Sequence, residues 1–166
     1  AEGAVWVEHA FVGAAHAVFM SALYAFEPNE AYVSCARRAV NFAIRKIIPE
    51  GRWENTEAFC TTALPWKERK PMRKDPVQHQ FTSNVLALWT VAEALIRLHE
   101  VTGTPRYISW GARVLDELSL YQQLWSPPYV QVPCFGGFGA TNADIQWNDA
   151  AQALIARTYL DYYRAW

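Results

Sequence analysis

The chain is poor in cysteine, with Cys35, Cys60 and Cys134 scattered among 166 residues and no CxxC pair. This pattern excludes the dense disulfide framework of small secreted domains, although Cys60 and Cys134 could pair between two loops or stay free. The spacing matches no zinc motif, and we expect neither a metal nor another cofactor. No signal peptide can be recognised, so the sequence leaves the compartment open.

Strong charge, a membrane span and common nucleotide motifs are also missing. The formal net charge is −1, which argues against nucleic acid or an anionic membrane as a partner. The longest apolar run, residues 10–26, is slightly short for a span and contains His16 and Ser21, which favours a buried core helix. The glycines at 136–139 follow no strand, and no nucleophile elbow is present.

What the chain does contain is apolar sequence with helical periodicity. Hydrophobic residues make up 52% of it, including eight each of Trp, Tyr and Phe, enough for one domain with a real core. We expect an all-α fold, with Asn29, Thr104 and Asn148 as N-caps and Pro105 opening a helix. Helices are predicted over about 4–26, 29–48 and 82–103, from 105 onward, and from 148 to the end. Only residues 129–132 could form a short strand.

The second and fourth predicted helices match each other at a spacing of 75 residues, with 32–40 aligned on 107–115. The ends of the first and third helices correspond at the same offset. Each unit is therefore an apolar helix, a tight turn, a more amphipathic helix and a long loop, which is an αα-hairpin repeat. We divide the single domain 1–166 into units of about 1–78 and 79–146 and a half unit, 147–166.

The repeat also predicts where the loops lie. The tight turns at 27–29 and 103–104 share one end of the bundle, so the long loops 49–81 and 125–147 lie together at the other end. Long loops rich in polar and aromatic residues indicate that function resides on this long-loop face. Two and a half units also leave one apolar edge open. We expect the remaining segment of a longer protein, or a partner in a homo-oligomer, to cover it.

Three stretches of the sequence, 53–59, 100–107 and 136–139 with 147–153, are similar to a known group. They resemble the (α/α) toroid of six-hairpin glycosidase-like proteins, of which this chain would supply about five helices. The resemblance implies a carbohydrate-active hydrolase or lyase with its site at the ends of the inner helices. A second resemblance, of residues 136–151 to terpene cyclase and prenyltransferase toroids, lacks the acid clusters DxDD and DDxxD.

Glycoside hydrolysis requires one carboxyl group with a raised pKa and a second, ionised one on the other side of the bond. Glu57 and Asp144 are the first candidate pair because each lies within a long loop beside aromatic residues. Asp149 is the third candidate, although its place after Asn148 also suits an acid in the first turn of a helix. For the loop acids, a solvated surface position is the alternative.

A sugar site also needs flat apolar surfaces and fixed hydrogen-bonding groups. About half of the candidate aromatics could instead close the core from the loop side. The predicted stacking residues are Trp53, Trp66, Trp125, Tyr129, Phe138 and Trp147. The predicted polar contacts are Glu54, His79, Gln80, Asn142 and Gln146.

Basic residues are concentrated at 67–74, and a solvated loop is the simplest interpretation of them. The sharper interpretation is capture of an anionic substrate such as a uronate or a sulfated glycan, which would also make a polysaccharide lyase possible. We therefore expect a glycoside hydrolase-like domain that binds a glycan at the long-loop face. The alternatives are a terpene cyclase-like toroid and a non-catalytic module that binds glycan or protein.

Overall fold

The computed structural model describes residues 9–54, 73–142 and 151–166. Within these ranges the regular elements are helices, which confirms the all-α class. Residues 129–132 form turns and bends rather than a strand. The long helices are α1 (Ala10–Phe26), α2 (Glu30–Phe42), α3 (Val85–Thr102), α4 (Pro105–Ser119) and α5 (Gln152–Ala165).

Helix boundaries follow local signals in the sequence. The Asn29 side chain accepts a hydrogen bond from the Ala31 N–H at 2.9 Å, and Pro105 opens α4 after Thr104, as predicted. Gly103 ends α3 in the left-handed conformation, with φ 62°, which a glycine adopts without a steric cost. Asn84 caps α3, so this helix begins at Val85 rather than near residue 82. The predicted cap Asn148 lies outside the described residues.

The end of α2 differs from the continuous α-helix that we predicted to residue 48. The chain widens into a π-helical turn over Ala43–Ile47 and then tightens into a 3₁₀ turn over Ile48–Glu50. Gly51 follows with φ 62°, and the Arg52 N–H donates to the Ile47 carbonyl at 3.2 Å. The chain is thereby reversed, and residues 52–54 run back under the bundle towards the start of α3.

The core lies around α3, which contacts α1, α2, α4 and α5. The helices α1 and α2 pack together, as do α3 and α4, and α1 joins the two pairs through α3. Eleven residues of α3 are buried, which explains why its sequence is apolar on most faces. Within the described ranges, none of these helices has the length and apolar character needed to cross a membrane.

A tyrosine from α5 closes the junction of α3, α4 and α5. The Tyr162 hydroxyl is buried and donates to the Ala92 carbonyl of α3 at 2.7 Å. A Cβ atom added to Gly111 of α4 would overlap the Tyr162 ring. The absence of a side chain at Gly111 therefore lets the ring pass between the helices.

A polar network fastens α5 to the other side of α3. The Glu93 carboxylate, 5% exposed, accepts from the Thr158 hydroxyl at 2.6 Å and from Arg97 at 2.8 Å. Arg97 also donates to Asp161 at 2.6 Å, so one guanidinium links two helices. The Trp89 indole N–H donates to the same Thr158 hydroxyl at 2.9 Å. These paired groups fix the position of α5, because a buried charge left without its partner would be strongly destabilising.

Candidate functional site

Three segments that are distant in sequence meet where α3 begins. The Asn142 side chain accepts from the Ser83 N–H at 2.8 Å and donates to the Phe81 carbonyl at 3.0 Å. The Asn84 N–H donates to the Trp53 carbonyl at 3.0 Å. Parts of both long loops are thus hydrogen-bonded to one another at this end of the bundle.

A cleft of about 560 Å³ opens beside this junction. Three of the predicted sugar-binding residues, His79, Gln80 and Asn142, line it. The other lining residues are Glu50, Gly51, Lys74, Phe81, Ser83, Glu117, Leu120 and Tyr121. The cleft therefore combines both long-loop segments with the C-terminal end of α4.

Glu117 is the half-buried acid in this lining. Its Oε1 atom accepts a hydrogen bond from the Trp53 indole N–H at 2.6 Å. Burial raises the pKa of the Glu117 carboxyl, and the Trp53 hydrogen bond and the charge of Arg113 offset part of that rise. A carboxyl group with a raised pKa at the edge of a cleft keeps its proton to a higher pH than an ordinary glutamate, which suits a proton donor.

Trp53 holds the Glu117 carboxyl in place through a hydrogen bond. Its side chain is 0% exposed, so it offers no face for a sugar to stack on, contrary to the role that the sequence suggested. Its indole N–H is committed to Glu117, and its backbone carbonyl accepts from Asn84. Trp53 is therefore a positioning residue that joins the start of α3 to the end of α4.

Glu54 is a second buried carboxyl, 1% exposed, and it does not line the cleft. Burial raises the pKa of Glu54, and the positive charge of Arg52 partly opposes this rise. The Arg52 Nε atom lies 3.7 Å from Glu54 Oε2, and Nη1 lies 3.6 Å from a Glu50 oxygen. Arg52 thus links a buried acid to an acid at the cleft wall.

A tight turn over residues 75–80 brings His79 and Gln80 to the cleft. The Asp75 carboxylate accepts from the Val77 and Gln78 N–H groups, each at 2.8 Å. The Asp75 N–H donates to the Gln80 carbonyl at 2.7 Å. His79 adopts φ 57°, a left-handed conformation that is uncommon for residues other than glycine. The turn holds His79 in this conformation with its side chain exposed.

Tyr121 and Ser83 also line the cleft. Burial raises the pKa of the Tyr121 hydroxyl, and its hydrogen bond with Ser83 partly opposes the rise. The hydroxyl therefore stays protonated at neutral pH and can donate or accept a hydrogen bond.

Several predicted residues lie elsewhere. Phe138 is buried and its ring stacks on Tyr159, with ring centroids 6.2 Å apart. Trp125 and Tyr129 are exposed, but neither lines the cleft. The predicted residues that lie outside the described residues are Glu57, Trp66, Asp144, Gln146, Trp147 and Asp149.

The glycine-rich segment 134–139 is fastened against the start of α5. The Gln152 side chain accepts from the Phe138 N–H and donates to the Phe138 carbonyl, both at 3.0 Å. Gly136 has φ 80°, which permits the sharp turn before Phe138. Cys134 of this segment is a buried free thiol. A second cleft, of about 550 Å³, lies between this segment and α5.

Sequence reasoning missed Glu117, Ser83 and Tyr121 as members of the site. Glu117 could have been found, because α4 must end on the same face that the long loops occupy. Glu57 and Asp144 come from the long loops and Asp149 from a predicted first turn, so the last turn of α4 was left out. Ser83 and Tyr121 carry no comparable signal.

Comparison with family models, with curated proteins and with solved structures finds no match to this chain.

Proposed function

We propose that the chain acts on carbohydrate in the cleft described above, as a glycoside hydrolase-like domain. The observation that carries the proposal is Glu117, a half-buried acid that lines the cleft and whose pKa is raised by burial. A glycosidase needs such a group to protonate the oxygen of the leaving sugar. Trp53 holds the carboxyl by its 2.6 Å hydrogen bond and thus fixes the direction of proton transfer.

The rest of the lining supports a sugar as the ligand. His79, Gln80 and Tyr121 supply groups that can donate to or accept from sugar hydroxyls. Phe81 is the phenylalanine of the lining, with Lys74 and Arg52 near its ring at 5.2 and 5.9 Å from the centroid. This polar lining suits a carbohydrate better than the apolar chain of a prenyl substrate, so we favour the glycosidase-like alternative over the terpene cyclase-like one.

The second carboxylate of the proposed mechanism comes from the long loops. Glu57 and Asp144 stay the proposed base or nucleophile, with Asp149 as the third candidate. In this assignment Glu117 replaces one member of the original pair as the acid. Glu50 is a further carboxylate in the lining, and it forms an ion pair with Arg52 at 3.6 Å.

The proposed partner covers the open edge of the bundle. Leu160 and Tyr163, three residues apart on one side of α5, are exposed, and Tyr163 is 83% exposed. We propose that either a further segment of a longer toroid or a second copy of the chain packs here, because such a surface is more apolar than isolated exposed residues require.

Glu117→Gln is the variant that tests the proposed function. Glutamine keeps an acceptor for the Trp53 indole N–H but cannot supply the proton. We expect glycan binding to be kept and the release of reducing ends to fall by about a hundredfold or more, the usual contribution of a general acid. Asp116→Asn is the matched control, because Asp116 is the exposed neighbour on the same helix and does not line the cleft.

Wild type and variants are tested against a panel of polysaccharides. Binding is measured by calorimetry and turnover by the release of reducing ends. Unchanged turnover in Glu117→Gln would contradict the catalytic assignment. Binding without turnover in the wild-type chain would identify a non-catalytic glycan-binding module instead. Formation of unsaturated ends, detected by ultraviolet absorbance, would identify a lyase.

A further inference from the structure

Lys74 is a cation in the lining of the cleft. Its side chain is exposed and lines the cleft, and within 9–54, 73–142 and 151–166 it forms no ion pair. Its Nζ atom instead lies 5.2 Å from the centroid of the Phe81 ring. An aromatic face attracts an ammonium group without cancelling its charge, so the cation is positioned and still available to an anion.

The acids in the described lining are Glu50 and Glu117. Glu50 lies 3.6 Å from the Arg52 guanidinium, which also lies 3.7 Å from the buried Glu54. Burial raises the pKa of Glu117, so its carboxyl stays protonated to a higher pH than an ordinary glutamate. Among the described lining residues, Lys74 is the one lysine or arginine, so its ammonium is the group that can attract an anionic ligand.

Some of the remaining polar groups in the lining are hydrogen-bonded within the protein, and others are exposed to a ligand. The Asn142 amide is engaged on both sides, by the Ser83 N–H and the Phe81 carbonyl, and so acts as a fastener of the loops. The Tyr121 hydroxyl bonds with Ser83. His79 and Gln80 are exposed at the same wall as Lys74 and can hydrogen-bond neutral hydroxyls.

From this arrangement we infer that the cleft selects a uronate, a sugar ring that carries one carboxylate, and that Lys74 binds this carboxylate. The inference rests on the proposed carbohydrate function and adds the substrate class to it. One ammonium in the described lining matches one carboxylate per ring, with hydroxyl contacts from His79 and Gln80. A heavily sulfated glycan would require several such cations, and the described lining supplies only Lys74.

The test compares saccharides that differ only in charge. Oligosaccharides of galacturonan, glucuronan and mannuronan are each measured by calorimetry in the acid form and as the methyl ester. We expect one acid form to bind about tenfold more tightly than its ester, since hydrogen bonds between charged groups stabilise by amounts of that order. The difference should shrink as salt is raised, because exposed charges are screened.

Variants of Lys74 assign the effect to this residue. Lys74→Gln should remove the preference for the acid form, whereas Lys74→Arg should keep most of it by keeping the charge. Lys46→Gln is the matched control, because Lys46 is an exposed lysine that does not line the cleft. A role of Lys74 in folding alone would affect acid and ester equally.

The possible failures separate this inference from the proposed function. If neutral oligosaccharides or esters bind as tightly as the acids, the uronate inference is wrong and the carbohydrate function stands. If an acid form is preferred but Lys74→Gln keeps the preference, the assignment to Lys74 is wrong. If no saccharide of either set binds, both proposals are overturned.

Discussion

Gly111 gives the most direct test of how the three helices pack. It lies in the interior of α4, where alanine would ordinarily stabilise a helix by about 1 kcal/mol over glycine. Here the added Cβ would overlap the Tyr162 ring of α5, which is buried and hydrogen-bonded to Ala92. We therefore predict that Gly111→Ala destabilises the protein, against the intrinsic preference of the helix.

The expected size of this destabilisation follows from the contacts of Gly111 and Tyr162. Forcing extra atoms into a packed core costs about 3 kcal/mol at the upper end of the usual range. Moving the tyrosine also breaks its bond to Ala92, which costs about 1 kcal/mol more. After the gain in helix propensity, we expect a net loss of about 3 kcal/mol in the free energy of unfolding.

A second substitution, at Tyr162, should reverse the effect of Gly111→Ala on the free energy of unfolding. The atoms that the new Cβ would meet belong to the outer part of the Tyr162 ring and its hydroxyl, and leucine has none of them. In the Tyr162→Leu background, Gly111→Ala should therefore stabilise by about 1 kcal/mol. The double-mutant cycle should give a coupling energy of about 4 kcal/mol, above the roughly 0.5–3 kcal/mol usual for residues in contact, because the added atom overlaps the ring directly.

Urea unfolding followed by far-ultraviolet circular dichroism measures all four proteins at neutral pH. Gly111→Ala should lower the unfolding midpoint in the wild-type background and raise it in the Tyr162→Leu background. If Gly111→Ala has the same effect in both backgrounds, α4 and α5 do not meet at this point, and the packing described here is wrong.

Two other predictions concern the site and the open edge. Because the pKa of Glu117 is raised in the folded protein, protonation of this carboxyl stabilises the folded state. This stabilisation is fully present below the ordinary glutamate pKa of 4.5 and is lost as pH rises through the raised pKa. Urea unfolding measured from acid to neutral pH should show a smaller loss in the free energy of unfolding for Glu117→Gln than for wild type or Asp116→Asn. If this free energy changes equally with pH in all three proteins, the burial of the carboxyl is contradicted. The 166-residue chain should self-associate through α5 in sedimentation velocity, and Leu160→Glu with Tyr163→Glu should make it monomeric. A wild-type chain that is monomeric at high concentration would remove the case for a second copy.

The helices could be predicted because their signals are local. Asn29 and Pro105 each act within one turn of chain, so short stretches of sequence were enough to place the starts of α2 and α4. The π-helical turn at Ala43–Ile47 carries no such signal. It depends on how the end of α2 meets the rest of the bundle, which periodicity along the chain does not encode.

The candidate site could be predicted only coarsely. The hairpin pattern indicated which end of the bundle would carry it, and His79, Gln80 and Asn142 line the cleft at the loops. Composition could not separate an exposed tryptophan from a buried one, and Trp53 was assigned to sugar stacking for that reason. Its contact with Glu117 joins residues 64 positions apart and exists only in the folded chain.

The π-helical turn makes the site depend on the number of residues as well as their identity. An α-helix rotates by about 100° for each residue, so removing one residue from Ala43–Ile47 would turn everything beyond it by about that angle relative to α2. Trp53 would then point away from Glu117 without any change in either residue. In a lineage of such chains, substitutions at the exposed Arg45 and Lys46 would be tolerated far more readily than single-residue deletions.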